Sequence, residues 1–156
     1  MVAEEIRELM DRLRERVGEE CIEEMGSGRG ARTWNVDGCK VKASGCVMKV
    51  RFDCCADERL SGEKGGCDLV LVFEDKVCIV ECTSGRLGNL DARRKAKQVK
   101  TCLEALRKLS QACDERKRIR SVIYHNGADP TALKRIRIEL KGLAPKFLKC
   151  EKEVLE

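Results

Sequence analysis

Two short apolar runs, joined at Glu74-Asp75-Lys76, make up the stretch "CDLVLVFEDKVCIVECTSG" at residues 67–85, and each run contains an acidic residue. Asp68 opens its first apolar run, and Glu81 lies near the end of the second. A carboxylate loses its hydration inside a strand that is packed on both faces, so acids here need a chemical reason. Two carboxylates at neighbouring strand ends can bind one hard divalent cation through their oxygen atoms. The stretch therefore favours a cation site.

A cation held in this way suits the hydrolysis of phosphodiester bonds. Bound Mg²⁺ or Mn²⁺ polarises the phosphodiester, lowers the pKa of the attacking water and neutralises the charge that develops on the phosphoryl oxygens. A lysine nearby usually orients the nucleophile, but Thr83 stands where one would be sought, and its hydroxyl brings no positive charge. Lys95, three residues before Gln98 on one flank of the next predicted helix, can supply the ammonium instead.

The acids are positioned by two runs at about 68–74 and 77–83, which a tight Glu-Asp-Lys connection joins. This arrangement predicts an antiparallel hairpin. Side chains alternate faces along a strand, so each acid shares a face with apolar side chains of its own run. A hairpin that closes at this connection places Asp68 opposite residue 82 and diagonal to Glu81. A shift of one residue in the register would change that pairing.

The elements before the hairpin are a helix and several strands. Apolar residues at helical spacing predict an amphipathic helix over residues 2–24, continuing as far as Met25. A glycine-rich segment then ends it, and strands follow with hairpin turns at Asp37-Gly38 and Ser44-Gly45. Residues 46–52 alternate, so one face of this strand is apolar and the other is partly basic.

The elements after the hairpin alternate between helix and strand. Asn89 is the expected cap of a helix at about 90–113, and Asp129 with Pro130 is the expected start of another. The remaining predicted elements are a buried strand at 119–125, a helix at 130–141 and a short strand at 146–150. The order α-β-β-β-β-α-β-α-β predicts an α/β fold with a central mixed sheet flanked by helices, formed by residues 1–156 as a single domain.

These residues resemble the PD-(D/E)xK nuclease superfamily. Its core pattern is an aspartate, about a dozen residues, and then Glu-x-Lys, and it is matched here by Gly66-Cys67-Asp68 followed by Glu81-Cys82-Thr83. The resemblance covers about residues 1–125. It implies a restriction-endonuclease-like core whose acids bind Mg²⁺ and cut phosphodiester bonds, with DNA as the expected partner. The same order of elements is seen in archaeal Holliday-junction resolvases.

The resemblance also implies roles for single residues. Asp68, Glu81 and the backbone carbonyl of Cys82 are the implied metal ligands, and a first-helix glutamate, with Glu5 as the candidate, often completes such a site. Gln98 resembles the glutamine of the RecB-like branch. Thr83 departs from the pattern, which leaves two alternatives: a catalytic lysine that has migrated to Lys95, or a degenerate site on a nucleic-acid-binding or assembly protein.

The basic side chains lie mostly in the second half of the chain, where residues 91–156 hold twice as many basic as acidic side chains. An anionic partner would bind there, whereas a solvated surface laced with ion pairs is the alternative. The candidates for binding nucleic acid are Arg93, Arg94, Lys97 and Lys100 on the helix after the hairpin, and Arg29 and Arg32 near Trp34. Trp34 itself either stacks on a base or anchors the core.

Composition adds expectations about the cell. Charged residues make up 38% of the chain, a balance that resembles proteins of hot-living organisms, and intracellular disulfides in such organisms would reconcile it with 11 cysteines. No run is apolar enough for a membrane span, which favours a soluble cytoplasmic protein.

A homodimer is an option, because double-strand cutting and junction resolution commonly use two symmetry-related sites. His125 is expected to be a strand-end histidine that meets solvent rather than a catalytic base.

Overall fold

The computed structural model describes residues 2–26, 30–52, 66–110 and 118–156. Within these ranges the α-helices are α1 (Glu4–Val17), α2 (Asn89–Arg107) and α3 (Pro130–Glu139). The strands are β1 (Ile22–Glu24), β2 (Ala31–Val36), β3 (Cys39–Ser44), β4 (Cys46–Arg51), β5 (Leu69–Phe73), β6 (Val77–Cys82), β7 (Ile119–His125), β8 (Lys146–Lys149) and β9 (Val154–Leu155).

The strands form a central mixed sheet and a smaller second sheet. The central sheet has the order β1-β4-β5-β6-β7-β8, in which β6, β7 and β8 are parallel and the other pairs are antiparallel. The smaller sheet has the order β2-β3-β9. The predicted α/β class with a mixed central sheet flanked by helices is therefore confirmed.

Each face of the central sheet has its own apolar core. On one face, Val70, Val72 and Ile79 pack against apolar residues of all three described helices. On the other face, Leu71 and Val80 pack against the smaller sheet. Both faces of the β5–β6 hairpin are thus covered, and every residue of these two strands is buried. Any polar side chain on this hairpin must find its partners inside the protein.

The first helix is shorter than predicted. It ends at Val17, because Gly18 takes a φ of 92° that no right-handed helix can continue through. The residues that follow form a 3₁₀ turn and then β1, which pairs with β4. The prediction of a helix as far as Met25 is therefore wrong. A three-residue strand is too short to show an alternation of its own.

Two turn assignments need correction. Asp37-Gly38 does connect the paired strands β2 and β3, as predicted. Ser44-Gly45 does not make a hairpin, because β3 pairs with β2 and β9 whereas β4 pairs with β1 and β5. The chain instead passes from the smaller sheet to the central sheet at this point, and Gly45 has a φ of 86° there.

The later elements agree with the predictions except at their ends. Gly88, not Asn89, is the N-cap of α2, and the Asn89 side chain accepts a hydrogen bond from the Thr131 hydroxyl. α2 ends at Arg107, and residues 111–113 of the predicted helix lie outside the described residues. Asp129 occupies the N-cap position of α3, with Pro130 in the first turn as predicted, but its side chain makes no capping hydrogen bond and accepts one from Arg86 instead.

Disulfides join distant parts of the described chain. Cys39 of β3 is bonded to Cys150 across 111 residues, and Cys67, the residue before Asp68, is bonded to Cys102 of α2. The disulfide expectation is thus confirmed at these pairs. The second bond ties the beginning of β5 to the helix that packs over it. The cysteines that remain free thiols in the described ranges are all buried: Cys46, Cys78 and Cys82.

Candidate functional site

The hairpin places the two acids closer together than the predicted register would. The Phe73 N–H donates to the Lys76 carbonyl at 2.8 Å, and Leu69 pairs with Val80. Continuing this register by one residue sets Asp68 opposite Glu81 rather than opposite residue 82, so the predicted register was off by one. Because directly opposed residues share a face, both side chains point toward the helices.

Glu81 is fully buried, in the middle of the sheet, and has an exposed fraction of 0%. Burial and then the negative charge of Asp68 raise the pKa of its carboxyl group to about 8, against the opposing effect of the Lys95 ammonium. Neither carboxylate oxygen of Glu81 has a hydrogen-bond partner of good geometry among the described residues. A buried acid that is satisfied so poorly is typical of a functional site.

Asp68 lies at the end of β5, where it is half-buried. Its Oδ2 accepts a hydrogen bond from the Cys82 N–H at 2.7 Å, which fixes the carboxylate against the end of β6. Burial raises the pKa of Asp68, and the Cys82 hydrogen bond and the Lys95 charge act in the opposite direction. The charge of Asp68 also acts on Glu81, so the two acids titrate as a pair rather than independently.

Lys95 supplies the positive charge beside this pair. Its Nζ lies 3.1 Å from Glu81 Oε2 and donates to the Cys82 carbonyl at 2.8 Å. α2 determines this position: Ala92, Ala96 and Val99 bury one face of the helix against the sheet, and Lys95 lies on that face. Lys95, which the sequence predicts to replace the lysine that is missing at position 83, is thus in contact with two of the predicted metal ligands.

Gln98 lies one turn further along α2 than Lys95. Its side chain is half-buried, and its Oε1 is buried without a hydrogen-bond partner among the described residues. A buried amide oxygen without a donor costs free energy unless a ligand satisfies it. Thr83, in contrast, has its backbone N–H bonded to the Tyr124 carbonyl. Among the described residues, no hydrogen bond joins the Thr83 hydroxyl to the acids.

Glu5 is not brought to the acid pair. Its carboxylate lies 3.3 Å from the guanidinium of Arg118, directly before β7, and the Val77 N–H that opens β6 bonds the Arg118 carbonyl. Glu81 lies near the other end of β6. Four residues of strand separate Val77 from Glu81, a distance of about 13 Å at 3.3 Å per residue.

The predicted nucleic-acid-binding residues are on the surface. Arg93, Arg94, Lys97 and Lys100 are all exposed on α2, and Arg32 is exposed on β2. Arg94 pairs with Asp91 at 3.1 Å, and Lys100 pairs with Glu139 at 2.8 Å. Arg29 lies outside the described residues. His125 lies at the end of β7 as predicted, but it is buried rather than exposed to solvent, and its Nδ1 accepts from the Gly127 N–H.

A cleft of about 250 Å³ opens beside Asp68, and the sequence did not predict it. The β2–β3 hairpin contributes Trp34 and Asp37, and the neighbouring strand β4 contributes Lys49 and Arg51. The partly basic face of residues 46–52 is the one feature of the sequence that indicates part of this lining. The other half of the cleft depends on the smaller sheet, which packs beside β4 only in the folded protein.

Comparison with known families, with curated proteins and with solved structures finds no match to this chain. In the described ranges, no three His, Cys, Asp or Glu side chains are grouped so that they could hold a metal ion. A cation at the acid pair would therefore take its further oxygens from backbone or amide groups. None of the described helices has the length and apolar character that crossing a membrane requires.

Proposed function

We propose that this protein is a metal-dependent endonuclease that hydrolyses phosphodiester bonds in DNA, with a site of the PD-(D/E)xK type. The observation that carries the proposal is the pairing of Asp68 with the fully buried Glu81 on one face of the central hairpin, beside the Lys95 ammonium. Burying charged groups costs free energy even when they contact one another. Clusters of this kind are typical of sites where the charges take part in chemistry.

The residues fit a hard divalent cation such as Mg²⁺ or Mn²⁺. Asp68 and Glu81 would hold it together with the Cys82 carbonyl, and the Gln98 Oε1 is a further buried oxygen on the same side of the sheet. These are oxygen donors, which hard cations prefer. The fit is supported by the Glu81 carboxylate, which has the Lys95 ammonium beside Oε2 but no hydrogen bond of good geometry, and by its raised pKa, since a cation would favour the ionised carboxylate. When bound, the cation would activate water and neutralise charge on the phosphoryl group.

The side chains of the site would divide the remaining work. The Asp68 carboxylate is held by the Cys82 N–H, so it presents its other oxygen in a fixed direction. Within the described part of the chain, Lys95 supplies the side-chain positive charge that contacts the acids, and it would hold the charge of the phosphate and orient the attacking water. Thr83 would take no catalytic part beyond the position of its backbone.

A second function is favoured by one specific contact. The Lys95 ammonium binds the Glu81 carboxylate and the Cys82 carbonyl, which are two of the oxygens that would ligate a cation. In a degenerate site this ammonium would replace the cation permanently. The protein would then bind nucleic acid or serve in an assembly without cutting.

Cleavage assays test the first proposal. The protein is incubated with plasmid, single-stranded and branched DNA in the presence of Mg²⁺ or Mn²⁺. We expect cleavage by the wild type and its loss, by at least about 100-fold, in Asp68→Asn and Glu81→Gln, because each carries charge that the transition state needs. Asp91→Asn is the matched control, since Asp91 is a partly exposed acid in a surface ion pair. Cleavage that survives both site substitutions would reject the site.

Binding assays separate the two functions. Salt-dependent binding of DNA without cleavage under either metal would favour the degenerate protein. A direct titration of Mn²⁺, followed by calorimetry, gives an independent readout. We expect binding by the wild type and none by Glu81→Gln; a wild type that binds no cation would support permanent occupation of the site by Lys95.

A further inference from the structure

The cleft beside Asp68 joins an aromatic ring, two cations and the proposed site. It lies between the β2–β3 hairpin and strands β4 and β5, and Asp68 belongs both to its lining and to the acid pair. Arg51 pairs with Leu69, the residue after Asp68, so one cation lies directly beside the end of the cleft that reaches the acids. A ligand in this cleft would therefore reach the edge of the site at Asp68, whereas Glu81 and Lys95 do not line the cleft.

Trp34 forms the wall of the cleft. Its ring is half-buried, and its Nε1 donates to the Glu23 carboxylate at 3.3 Å, which fixes the indole in place. The Lys49 ammonium lies over the face of the ring, 5.2 Å from its centre, so a base that stacks on this face displaces the ammonium toward the flanking phosphate. An indole that is fixed at one edge and partly exposed loses little freedom when a flat ligand stacks on it, and a cation beside it suits an anionic ligand.

We propose that this cleft binds an unpaired segment of single-stranded DNA, with a base stacked on Trp34 and the flanking phosphates held by Lys49 and Arg51. The proposal rests on the proposed endonuclease, because it leads the strand to Asp68. Bases inside a duplex already stack on each other, so a side chain can stack only on an unpaired base. The preferred substrates are therefore single strands, flaps and junctions with open ends rather than blunt duplexes.

The acids in the cleft set a condition on binding. Asp37 also lines the cleft, and its charge raises the pKa of Asp68. Both acids carry the same sign as a phosphate, so they oppose the strand at the inner end. We expect a divalent cation to strengthen binding, whereas binding at the Trp34 end persists without one.

The intrinsic fluorescence of the protein tests the proposal directly, because Trp34 is the only tryptophan in the chain. The wild type is titrated, in chelator, with a single-stranded oligonucleotide of about 12 nucleotides, within the usual site sizes of about 4–16. The matched ligands are an abasic strand of the same length and charge, and a blunt duplex. We expect saturable quenching by the first ligand and little quenching by the other two. The measurement needs no cleavage, so it remains informative if the endonuclease proposal fails.

Substitutions give the second test. Trp34→Ala should weaken single-strand binding about 5- to 100-fold, the range for loss of one stacked base, and Trp34→Phe should keep most of it. Lys49→Ala and Arg51→Ala should each lower the salt slope by about 0.7. Lys141→Ala, an exposed lysine on the 3₁₀ turn after α3, is the charge control. Unquenched Trp34 at saturating single strand, or equal quenching by the abasic strand, would overturn the proposal.

Discussion

The buried carboxyl group of Glu81 makes stability depend on pH in a direction opposite to that of most acids. Its pKa is raised from 4.5 to about 8 in the folded protein, mainly by burial and then by the charge of Asp68. The folded state therefore binds a proton that the unfolded state releases between these two pH values. As pH rises from about 4.5 to about 8, the free energy of unfolding should fall by about 1.4 kcal/mol per pH unit and then level off.

The substitution Glu81→Gln isolates this effect, because a carboxamide of the same shape does not titrate. From the two pKa values, linkage predicts that this carboxyl group lowers the free energy of unfolding of the wild type by about 3 to 4 kcal/mol between pH 5 and pH 8. Glu81→Gln should lack this loss, so its stability relative to the wild type should increase by that amount over the interval. At low pH, where the wild-type carboxyl group is protonated, the two proteins should differ little.

Guanidinium chloride unfolding at a series of pH values measures the difference, in chelator and with disulfides intact. Adding Mg²⁺ or Mn²⁺ at pH 8 should recover stability in the wild type, because the cation binds the ionised carboxylate, and should leave Glu81→Gln unchanged. Asp91→Asn, at a partly exposed ion pair, should follow the pH dependence of the wild type. Equal pH slopes in the wild type and Glu81→Gln would refute the reasoning.

Further predictions concern the lysine, the disulfide and the basic helix. Lys95→Met should abolish cleavage and, above pH 8, lower the free energy of unfolding by about 3–5 kcal/mol, because it leaves buried charge uncompensated. Adding Thr83→Lys should restore part of the cleavage. A Lys95→Met protein with full activity would contradict the migrated-lysine hypothesis. Replacing both Cys39 and Cys150 by serine should lower the free energy of unfolding by about 4–5 kcal/mol, measured with denaturant under oxidising conditions, since that bond closes a long loop. Arg93→Ala should weaken DNA binding at low salt and reduce the salt slope by about 0.9, as measured by fluorescence anisotropy; an unchanged slope would remove α2 from the DNA interface.

The hairpin that carries the acids was predictable because its signals are local. A tight polar connection between two apolar runs gives the antiparallel pair, and alternation assigns each acid to a face. The register was not predictable, since this connection can close at either of two positions. The hydrogen bond from Phe73 to Lys76 decides it, and with it the direct opposition of Asp68 and Glu81.

The ends of elements depended on partners that are distant in the chain. β1 is three residues long and pairs with residues of β4 more than twenty positions away, and β9 is two residues long and pairs with β3. Strands this short carry no periodicity of their own. The same reasoning explains why Ser44-Gly45, a good hairpin turn by composition, instead leads from one sheet to the other.

The sequence by itself determined which residues are candidates for the site: two acids on an apolar hairpin, a threonine in place of a lysine, and Lys95 and Gln98 on one flank of the next helix. Only the tertiary structure decided that Lys95 contacts both Glu81 and the Cys82 carbonyl, because that contact depends on how α2 packs on the sheet. It also decided that Trp34 and Arg51 lie in one cleft with Asp68. Spacing along a chain sets which face a side chain occupies, whereas the packing of one element on another sets which faces meet.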